Sequence, residues 1–312
     1  MSTLALCIPA YQAAEYIPRL LISAREQTIP FDEILVYDDA SSDSTAAVAE
    51  KYGARVLCGA SNVGCSAAKN FLLHEAASEW IHFHDADDLL LPNFTTLAHL
   101  WITKLACPDV VLFDYLYIDN QSSDLIAQSD FLSDELEEDP LRYAILHQIN
   151  PFCGLYRKSR LLDVGGYDVD PEILYNEDVA FHCKLALNGL SFSCEKQISI
   201  INYRMSESMS GSNQLKCLHS QVEVMRRLSH LVGQRYSNEI ASKLWHTAQC
   251  LASLQDWHEV SSALTIASSL TTRIPRGQSI LFKLLISLLG PVRAFRFREQ
   301  TIRTFKPWLR LS

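Results

Sequence analysis

The first hundred residues alternate short apolar runs with amphipathic stretches. After the first run, apolar residues recur at the 3.6-residue spacing of a helix at Ile17, Leu20, Leu21 and Ala24. The apolar runs, each typical of a buried strand, are LALCIPAY, EILVYDD, ARVLCG, EWIHFHDADD and DVVLFDYLYI. This alternation of strand and helix predicts an α/β fold with a doubly wound, mostly parallel sheet flanked by helices.

A second pattern starts near residue 214, where apolar residues repeat at helical spacing with few interruptions. Its two longest stripes are Leu215, Leu218, Val222, Met225 and Leu228, and then Ile240, Leu244, Leu251 and Leu254. The Ser- and Gly-rich stretch SESMSGSN separates the two patterns. The sequence therefore predicts an α/β domain over residues 1–212 and an all-helical C-terminal extension over residues 213–312.

Charge is divided unevenly along the chain. The whole chain of 312 residues has a formal net charge of −9. Residues 271–312 contain nine Lys and Arg residues against Glu299 alone, so this tail carries +8 and residues 1–270 carry −17. An acidic body argues against nucleic acid as the main partner, because phosphate binding requires a basic surface. Residues 119–140 contain eight acidic residues and no Lys or Arg, which favours a solvated, mobile excursion.

The cysteines and the length of the apolar runs indicate a compartment. Nine cysteines are scattered without CxxC pairs, which argues against disulfides or a zinc site and favours a reducing environment. The first residues lack the basic leader of a secretory signal, and no uncharged apolar run reaches 18 residues. We therefore expect a cytoplasmic protein.

Carboxylates follow two of the predicted strands. Asp38 and Asp39 end the second, and Asp85, Asp87 and Asp88 end the fourth. In doubly wound sheets the ligand crevice lies at the carboxyl ends of the strands. If the segment is extended, the side chains of Asp85 and Asp87 project to the same side, where two carboxylates suit Mg²⁺ or Mn²⁺. The alternatives are an ordinary solvated turn at Asp85–Asp88 and a helix-capping role for Asp38 and Asp39.

A further acidic pair opens a predicted helix in YNEDVAFHCKLALNG. Asn176 precedes it, and Asn188 with Gly189 ends it. Glu177 and Asp178 then lie in the first turn, where the helix dipole stabilises carboxylates, so capping alone is one explanation. A carboxylate that is ionised at neutral pH can also remove a proton from a hydroxyl group as a general base.

Taken in order, these segments resemble the family-2 inverting glycosyltransferases with a GT-A fold, of the bacterial surface-polysaccharide type. The matching segments are CIPAYQAAEYI, EQTIPFDEILVYDDASSDST, NVGCSAAKN, FHDADD, FCGLYRKSRLLDVGGYD, YNEDVAFHCKLALNG and INYRMSESMS. The resemblance covers roughly residues 3–210 and derives its specificity from the order and spacing of the segments.

The resemblance implies a binding site for a nucleotide sugar. In it, Tyr11 stacks on the base, usually uracil, and Asp38 or Asp39 accepts the imide hydrogen of that base. Asp87, with Asp85, holds Mn²⁺ or Mg²⁺ at the diphosphate. The donor-binding residues implied are Pro9, Ala10, Tyr11, Asp38, Asp39, Asn62, Gly64, Lys69, Asp85, Ala86, Asp87 and Arg204. Two positions depart from the family, which has Gly at Ala40 and often Arg at Lys69.

The resemblance also implies the reaction. Asp178 is the general base, with Glu177 as an acceptor-binding group or the alternative base. Gly165, Gly166, Tyr167 and Asp168 form the acceptor-side turn, where two glycines indicate a close backbone approach or a positive φ. The expected activity is metal-dependent, inverting transfer from a UDP-sugar to a saccharide or lipid-linked saccharide acceptor in cell-surface polysaccharide or lipopolysaccharide biosynthesis.

Two rival functions and two roles for the tail are alternatives at this stage. Sugar-nucleotide pyrophosphorylases resemble one another in a Gly-rich, Arg-containing loop after the first strand, and the absence of glycine from PAYQAAEY at that position argues against this rival. A catalytically silent scaffold that recruits partners through its helices is the other alternative. Residues 276–312 combine a dense apolar run with recurrent Arg, which is typical of a helix lying on an anionic inner-membrane surface. A helical lid or a homodimer contact explains the same pattern.

Overall fold

The computed structural model describes residues 2–204, 213–275 and 277–310. The chain forms two compact units, one made of Met1–Val169 and Glu177–Ser208 and the other of Asp170–Asn176 and Met209–Ser312. The domain boundary predicted at residue 212 lies outside the described residues. The short segment Asp170–Asn176 thus belongs with the C-terminal helices, although it precedes them by some forty positions in the chain.

The first unit consists of alternating strands and helices. Its strands are β1 (Leu4–Ala10), β2 (Glu33–Asp38), β3 (Arg55–Cys58), β4 (Trp80–Phe83), β5 (Leu89–Leu90), β6 (Val110–Asp119), β7 (Leu125–Gln128), β8 (Gly154–Arg157) and β9 (Phe192–Arg204). Its helices are α1 (Ile17–Arg25), α2 (Thr45–Lys51), α3 (Cys65–Glu75), α4 (Phe94–Ile102), α5 (Ser133–Glu138), α6 (Pro140–Leu146), α7 (Lys158–Asp163) and α8 (Glu177–Leu187).

In the described part of the chain these strands form one sheet in the order β3-β2-β1-β4-β8-β6-β9-β5, with β7 paired to β6. The half from β3 to β4 is parallel, β8 runs antiparallel to both β4 and β6, and β6 pairs with β9 in parallel. All four residues of β4 and nearly all of β1 are buried because helices cover both faces. The predicted α/β class with a doubly wound sheet is confirmed, but among the described residues the sheet is mixed, because as many strand pairings are antiparallel as parallel.

The acidic stretch 119–140 is more ordered than its composition suggests. It contains β7, which pairs antiparallel with β6, and the helix α5, so the expectation of a mobile excursion is wrong. Buried Asp114 in β6 accepts hydrogen bonds from Ser129 Oγ at 2.9 Å and Phe131 N at 3.0 Å, and it pairs with Lys196. Lys196 also pairs with Asp130 inside the stretch, so a basic residue distant in sequence neutralises part of this acidic segment.

The second unit is helical, as predicted for the C-terminal extension. Its helices are α9 (Gln214–Val232), α10 (Ser237–Ser253), α11 (Trp257–Leu270), α12 (Ile280–Leu289) and α13 (Pro291–Phe305). The centres of both predicted stripes are buried, including Met225, Leu244 and Leu251. Leu215 and Leu254 are exposed, because they lie at helix ends where the neighbouring helices no longer cover them.

An ionic cluster holds Asp170–Asn176 against α9. Arg227 on α9 lies 2.6 Å from Asp170 Oδ2, 2.5 Å from Glu172 Oε2 and 2.5 Å from Glu223 Oε1. The hydrogen bonds that Arg227 donates to Asp170 and Glu223 raise the pKa of its guanidinium, which therefore stays charged at any ordinary pH. A single arginine thus anchors the segment that leads directly into α8.

Within the described ranges, no helix combines the length and apolarity needed to cross a bilayer.

Candidate active site

The carboxyl ends of β1 and β2 lie side by side and present the first group of predicted site residues. Tyr11 follows β1 and is 54% exposed, so its ring is free to stack on a planar ligand. Asp39 N donates to Ala10 O at 2.8 Å, which ties the two strand ends together. Pro9 and Ala10 pair in register with Tyr37 and Asp38, so these residues lie next to one another at this edge of the sheet.

Asp38 and Asp39 are both buried but differ in their partners. Asp39 uses both carboxylate oxygens, accepting from Val63 N at 2.7 Å and Gly64 N at 2.9 Å in the loop before α3. Asp38 accepts one longer bond of 3.3 Å, from Ser41 N. The first turn of α2 is held instead by Asp43, so a capping role for Asp38 and Asp39 on that helix is wrong.

The residue that replaces the family glycine keeps the backbone shape of a glycine. Ala40 has φ +59°, in the left-handed region that favours Gly. An alanine there costs about 1 kcal/mol of strain, and the close hydrogen bonds of Asp38 and Asp39 hold the turn in place. The departure at position 40 is therefore tolerated by the fold.

The acidic cluster after β4 forms a tight turn and does not extend the strand. β4 ends at Phe83, and Asp88 N donates to Asp85 O at 3.3 Å. The extended backbone from which we expected Asp85 and Asp87 to project to the same side is therefore replaced by a turn. Asp85, Ala86 and Asp87 are partly exposed, whereas Asp88 is fully buried.

The three acids of the turn differ in their environment. Asp88 is bound by the protein itself, whereas Asp85 and Asp87 remain available to a ligand. Asp88 accepts from Asn202 Nδ2 at 2.7 Å and Tyr203 N at 2.8 Å, and so fastens the turn to β9. Burial and the neighbouring charge of Asp85 raise the pKa of Asp87 to about 6. Burial, followed by the charges of Asp85 and Asp87, raises the pKa of Asp88 well above its ordinary value. Repulsion among the three acids is thus only partly relieved by the protein itself.

Arg19 supports this turn and was not among the predicted site residues. Its guanidinium donates to the backbone carbonyl of Asp87 and to Asn120 Oδ1 at 3.1 Å, and it lies 3.8 Å from the ring centre of Tyr203. In the sequence it is an ordinary polar position on the outer face of α1, so periodicity carries no signal for this role.

Lys69 on α3 is a cation that acts electrostatically on the predicted catalytic acids. It is buried, with 3% of its surface exposed, and its Nζ lies 5.2 Å from the ring centre of Tyr167. Burial by itself lowers the pKa of Lys69, but four neighbouring acidic groups raise it above its ordinary value. These groups are Cys65, Asp85, Asp178 and Glu177. The ammonium group is therefore held in its charged form among carboxylates.

The predicted base lies in the first turn of α8. Burial, followed by the charge of Glu177, raises the pKa of Asp178 to about 8, against an opposing contribution from Lys69. Burial also raises the pKa of Glu177. His182 fixes this turn, because its Nδ1 bonds to Asp178 O at 2.8 Å and its Nε2 to Tyr156 Oη at 2.9 Å. The backbone of Asp178 is therefore held in place, and its carboxyl group is a weaker acid than an ordinary aspartic acid.

The predicted acceptor-side turn follows α7 and is built around two glycines. Gly165 and Gly166 have φ of +77° and +61°, as the sequence predicted. Tyr167 is buried, its ring stacked on Phe181 at 3.7 Å. Asp168 pairs with Lys184 at 2.7 Å. Asn70 locks the turn, accepting from Tyr167 N at 2.8 Å and donating to Tyr167 O at 2.9 Å.

Gly166→Ala is expected to destabilise the protein by about 3 kcal/mol, three times the loss for Gly165→Ala. A Cβ at position 166 would lie 2.3 Å from Asn70 Oδ1 and would displace the side chain that locks the turn. At position 165 the φ is equally positive, but no atom lies within 4 Å, so only backbone strain of about 1 kcal/mol is added. Urea unfolding of the two variants measures the difference, and equal losses would contradict the proposed role of Asn70.

The structure therefore brings most of the predicted residues to one edge of the sheet. Asp85 is the common neighbour, because its charge acts both on Asp87 and on the group formed by Lys69, Glu177 and Asp178. Asn62 and Gly64 lie in the loop that Asp39 holds. Arg204 lies at the exposed end of β9, in register with Asp119 and next to Tyr203, whose backbone N–H donates to Asp88 of the acidic turn. The remainder of its motif, residues 205–210, lies outside the described residues.

The donor atoms fit a hard divalent cation that completes its shell from a ligand. Over the residues that the structure describes, no three His, Cys, Asp or Glu side chains form a metal site by themselves. Asp85 and Asp87 supply partly exposed carboxylate oxygens, and the raised pKa of Asp87 reflects a negative charge that a cation would neutralise. Mg²⁺ and Mn²⁺ are commonly held by one or two carboxylates together with phosphate oxygens and water.

Comparisons with known proteins identify the family and the fold. A sequence profile described as "Glycosyl transferase family 2" matches residues 5–161. An uncharacterised glycosyltransferase of Rickettsia typhi is 27% identical over 213 residues, which make up 67% of each chain. The poly(ribitol-phosphate) beta-N-acetylglucosaminyltransferase TarS of Staphylococcus aureus is 27% identical over 221 residues, which cover 68% of this chain but only 38% of TarS.

Two solved structures have the same fold. The crystal structure of S. aureus TarS 1-349 in complex with UDP-GlcNAc superposes with a TM-score of 0.67 at 21% identity and covers 97% of this chain and 92% of that one. The mannosyltransferase PcManGT from Pyrobaculum calidifontis, in complex with GDP-Man and Mn²⁺, superposes with a TM-score of 0.57 at 15% identity, covering 97% and 87%.

Proposed function

The chain belongs to glycosyl transferase family 2, and from this premise we propose that it is a metal-dependent, inverting enzyme that uses a UDP-sugar. It is a glycosyltransferase with a GT-A fold. The observation that carries the finer proposal is the electrostatic group at the sheet edge. There Asp85, one of the two acids expected to hold the cation, acts electrostatically on the other, Asp87, and also on Lys69 and on Asp178, the acid expected to serve as base.

The donor site we propose starts at the ends of β1 and β2. The exposed ring of Tyr11 stacks on the base. Asp38 accepts the imide hydrogen, because Asp39 already spends both oxygens on Val63 and Gly64. A uracil base is further supported by TarS, whose structure was solved with UDP-GlcNAc. Arg204 stays a proposed contact to the diphosphate.

Asp85 and Asp87 would hold Mn²⁺ or Mg²⁺ at the diphosphate, and a cation bound there would withdraw charge from the leaving group. Lys69 contributes a fixed positive charge among the carboxylates of the same site. Arg19 orients the turn that presents Asp87 by binding its backbone carbonyl. The support for a metal from known proteins is PcManGT, solved with GDP-Man and Mn²⁺.

Asp178 acts in this proposal as the general base. It removes the proton of an acceptor hydroxyl as that oxygen attacks the anomeric carbon on the face opposite the leaving diphosphate, which inverts the configuration. Its raised pKa gives it enough proton affinity for this step at neutral pH. Glu177 raises that affinity further and stays the alternative base.

The acceptor we propose is a saccharide or lipid-linked saccharide of cell-surface polysaccharide or lipopolysaccharide biosynthesis, made on the cytoplasmic side of the membrane. The acceptor-side turn would be formed by Gly165, Gly166, Tyr167 and Asp168. It follows α7 and precedes α8 in the chain. TarS, named for transfer to poly(ribitol-phosphate), is a relative with a polymeric acceptor.

The function is tested by incubating the full chain with a panel of UDP-, GDP- and dTDP-sugars and measuring release of the nucleoside diphosphate with Mn²⁺, with Mg²⁺ and with a chelator. Slow hydrolysis of one UDP-sugar that requires the metal is the expected result. Preference for a GDP-sugar would contradict the uracil site at Asp38. Release that is unchanged by the chelator would contradict the metal role of Asp85 and Asp87.

Turnover should depend on pH through Asp178. The base must be ionised, so kcat/KM is expected to rise with pH and to level off above the pKa of about 8. Glu177→Gln removes a neighbouring negative charge, lowers the pKa of Asp178 and should move this rise to lower pH by about one unit. Glu75→Gln, at an exposed pair with Arg55, is the control and should leave the profile in place. Loss of all activity in Glu177→Gln would instead identify Glu177 as the base.

A further inference from the structure

We propose that α12, α13 and residues 307–310 form a docking surface for an anionic lipid bilayer. This terminal surface is a helical hairpin closed by Gly290, which has φ +77° between the two helices. The inference names a partner for the protein and is independent of the transfer reaction at the sheet edge.

Apolar side chains cover much of the terminal surface without a partner. The exposed ones are Ile280, Leu281, Leu284, Leu288, Leu289, Phe297, Phe305, Trp308 and Leu309. Ile280 and Leu288 are 80% and 81% exposed, more than a side chain in the core of a helical bundle would be. Folded proteins rarely leave so many large apolar groups together in water unless something else covers them.

The charges around these apolar groups are positive. Lys283, Arg293, Arg296 and Lys306 are exposed. The one acidic residue of the tail, Glu299, is 4% exposed and is neutralised by Arg303 at 3.0 Å and Arg310 at 2.8 Å. Residues 277–310 therefore present cations and no exposed carboxylate, which complements the negative headgroups of an anionic membrane.

A groove between α12 and α13 fits the same partner. Its cavity of about 290 Å³ is lined mainly by apolar side chains, among them Leu281, Leu285, Phe297 and Phe305. Arg298 and Lys306 also line it. The apolar lining of this groove suits the acyl chain of a lipid, and Arg298 and Lys306 suit its negatively charged headgroup.

The geometry and charge argue against the two other occupants of such a surface. At 10 and 15 residues, α12 and α13 are too short to span the bilayer, so they lie on it. A second copy of the chain would bring an identical basic surface to a two-fold contact and place like charges opposite one another. Trp308, Lys306 and Arg310 are residue types that favour the boundary between headgroups and acyl chains.

The test is co-sedimentation of the full chain with vesicles of phosphatidylcholine alone or with 30 mol% (about one lipid in three) phosphatidylglycerol. We expect binding at least tenfold tighter to the anionic vesicles, and loss of that binding in 0.5 M salt, roughly three times physiological ionic strength. Lys283→Gln combined with Lys306→Gln should weaken it about 25-fold, at about fivefold for each removed charge. Leu284→Ser combined with Leu288→Ser should weaken it by a similar factor.

The control is Leu105→Ser, which changes a fully exposed leucine outside the terminal surface and should leave vesicle binding unchanged. Thermal unfolding of each variant verifies that the chain remains folded, and release of UDP from a UDP-sugar should stay at the wild-type rate in all of them. Failure to bind anionic vesicles, or equal binding by the Leu284 and Leu288 variant, would overturn the proposal. A dimer in sedimentation that the same variant dissociates would overturn it in favour of a second copy.

Discussion

Asp178→Asn is expected to lower kcat by about 10²- to 10⁴-fold while UDP binding stays within a factor of about three. Asparagine keeps the size and polarity of the side chain, and the backbone of this turn is held by His182, but an amide cannot take a proton from the acceptor. Single-turnover measurements with a UDP-sugar, together with calorimetric titration of UDP, separate the two effects. Turnover that falls less than tenfold would remove Asp178 from the role of base.

The same variant should be more stable than the wild-type chain. Burial and Glu177 raise the pKa of Asp178 from 3.8 to about 8, so the folded state disfavours the ionised side chain. Ionised Asp178 therefore lowers the free energy of unfolding. This loss is absent below pH 4, grows as pH rises from the unfolded-state pKa of 3.8 to the folded-state pKa of about 8, and is constant above that. Asp178→Asn removes this cost, and the gain should reach about 2 kcal/mol at pH 8, since Glu177 shares the rest.

Urea unfolding at pH 5 and pH 8 measures this gain. The variant should exceed the wild type by more at pH 8 than at pH 5, and Glu75→Gln should show no such dependence. A gain that shrinks as pH rises would contradict the raised pKa of Asp178. An acid that destabilises the fold yet is retained is best explained by its chemistry.

Asp87→Asn is the second substitution with a large expected effect. It removes one of two carboxylates available to a divalent cation, so turnover should fall by about 10²-fold or more and Mn²⁺-dependent UDP binding by about tenfold. The fold should not suffer, because Asp87 is held through its backbone carbonyl and its carboxylate carries a raised pKa. Titration of UDP with and without Mn²⁺ measures the metal-dependent part.

Asp88→Ala is the matched control one position further along the turn. Asp88 is buried and binds Asn202 and Tyr203, so its loss should cost about 2 kcal/mol of stability by leaving those donors without an acceptor. Asp87→Asn should therefore lower metal-dependent UDP binding and leave stability unchanged, whereas Asp88→Ala should lower stability. Full turnover of Asp87→Asn in chelator-treated protein would exclude a metal at this turn.

The first strands along the chain and the position of the acidic groups were accessible from the sequence because both depend on local pattern. Apolar runs define the strands, and the topology of a doubly wound sheet brings their carboxyl ends to one edge. The placement of Asp38 and Asp85 follows from that rule, whereas the role of Tyr11 came from the family resemblance. Even the doubtful position Ala40 keeps the left-handed backbone that the family glycine would supply.

The features that the sequence did not reveal depend on contacts between distant residues. Arg19 meets Asp87, Asn120 and Tyr203 from three other parts of the chain, and nothing in the spacing of α1 distinguishes it from a solvent-facing arginine. Lys196 likewise neutralises part of an acidic stretch that looks disordered by composition. The strand predicted over EWIHFHDADD ends at Phe83, and the backbone bond from Asp88 N to Asp85 O that makes the following turn leaves no signal in the pattern of apolar residues.

The ion cluster around Arg227 has a consequence for any attempt to express the α/β part alone. A chain cut at residue 212 would retain Asp170 and Glu172 but lose the guanidinium that neutralises them. Four carboxylates would then crowd the nine positions from Asp170 to Asp178, immediately upstream of α8. A shortened chain that keeps these ion pairs must therefore extend at least through α9, which carries Arg227.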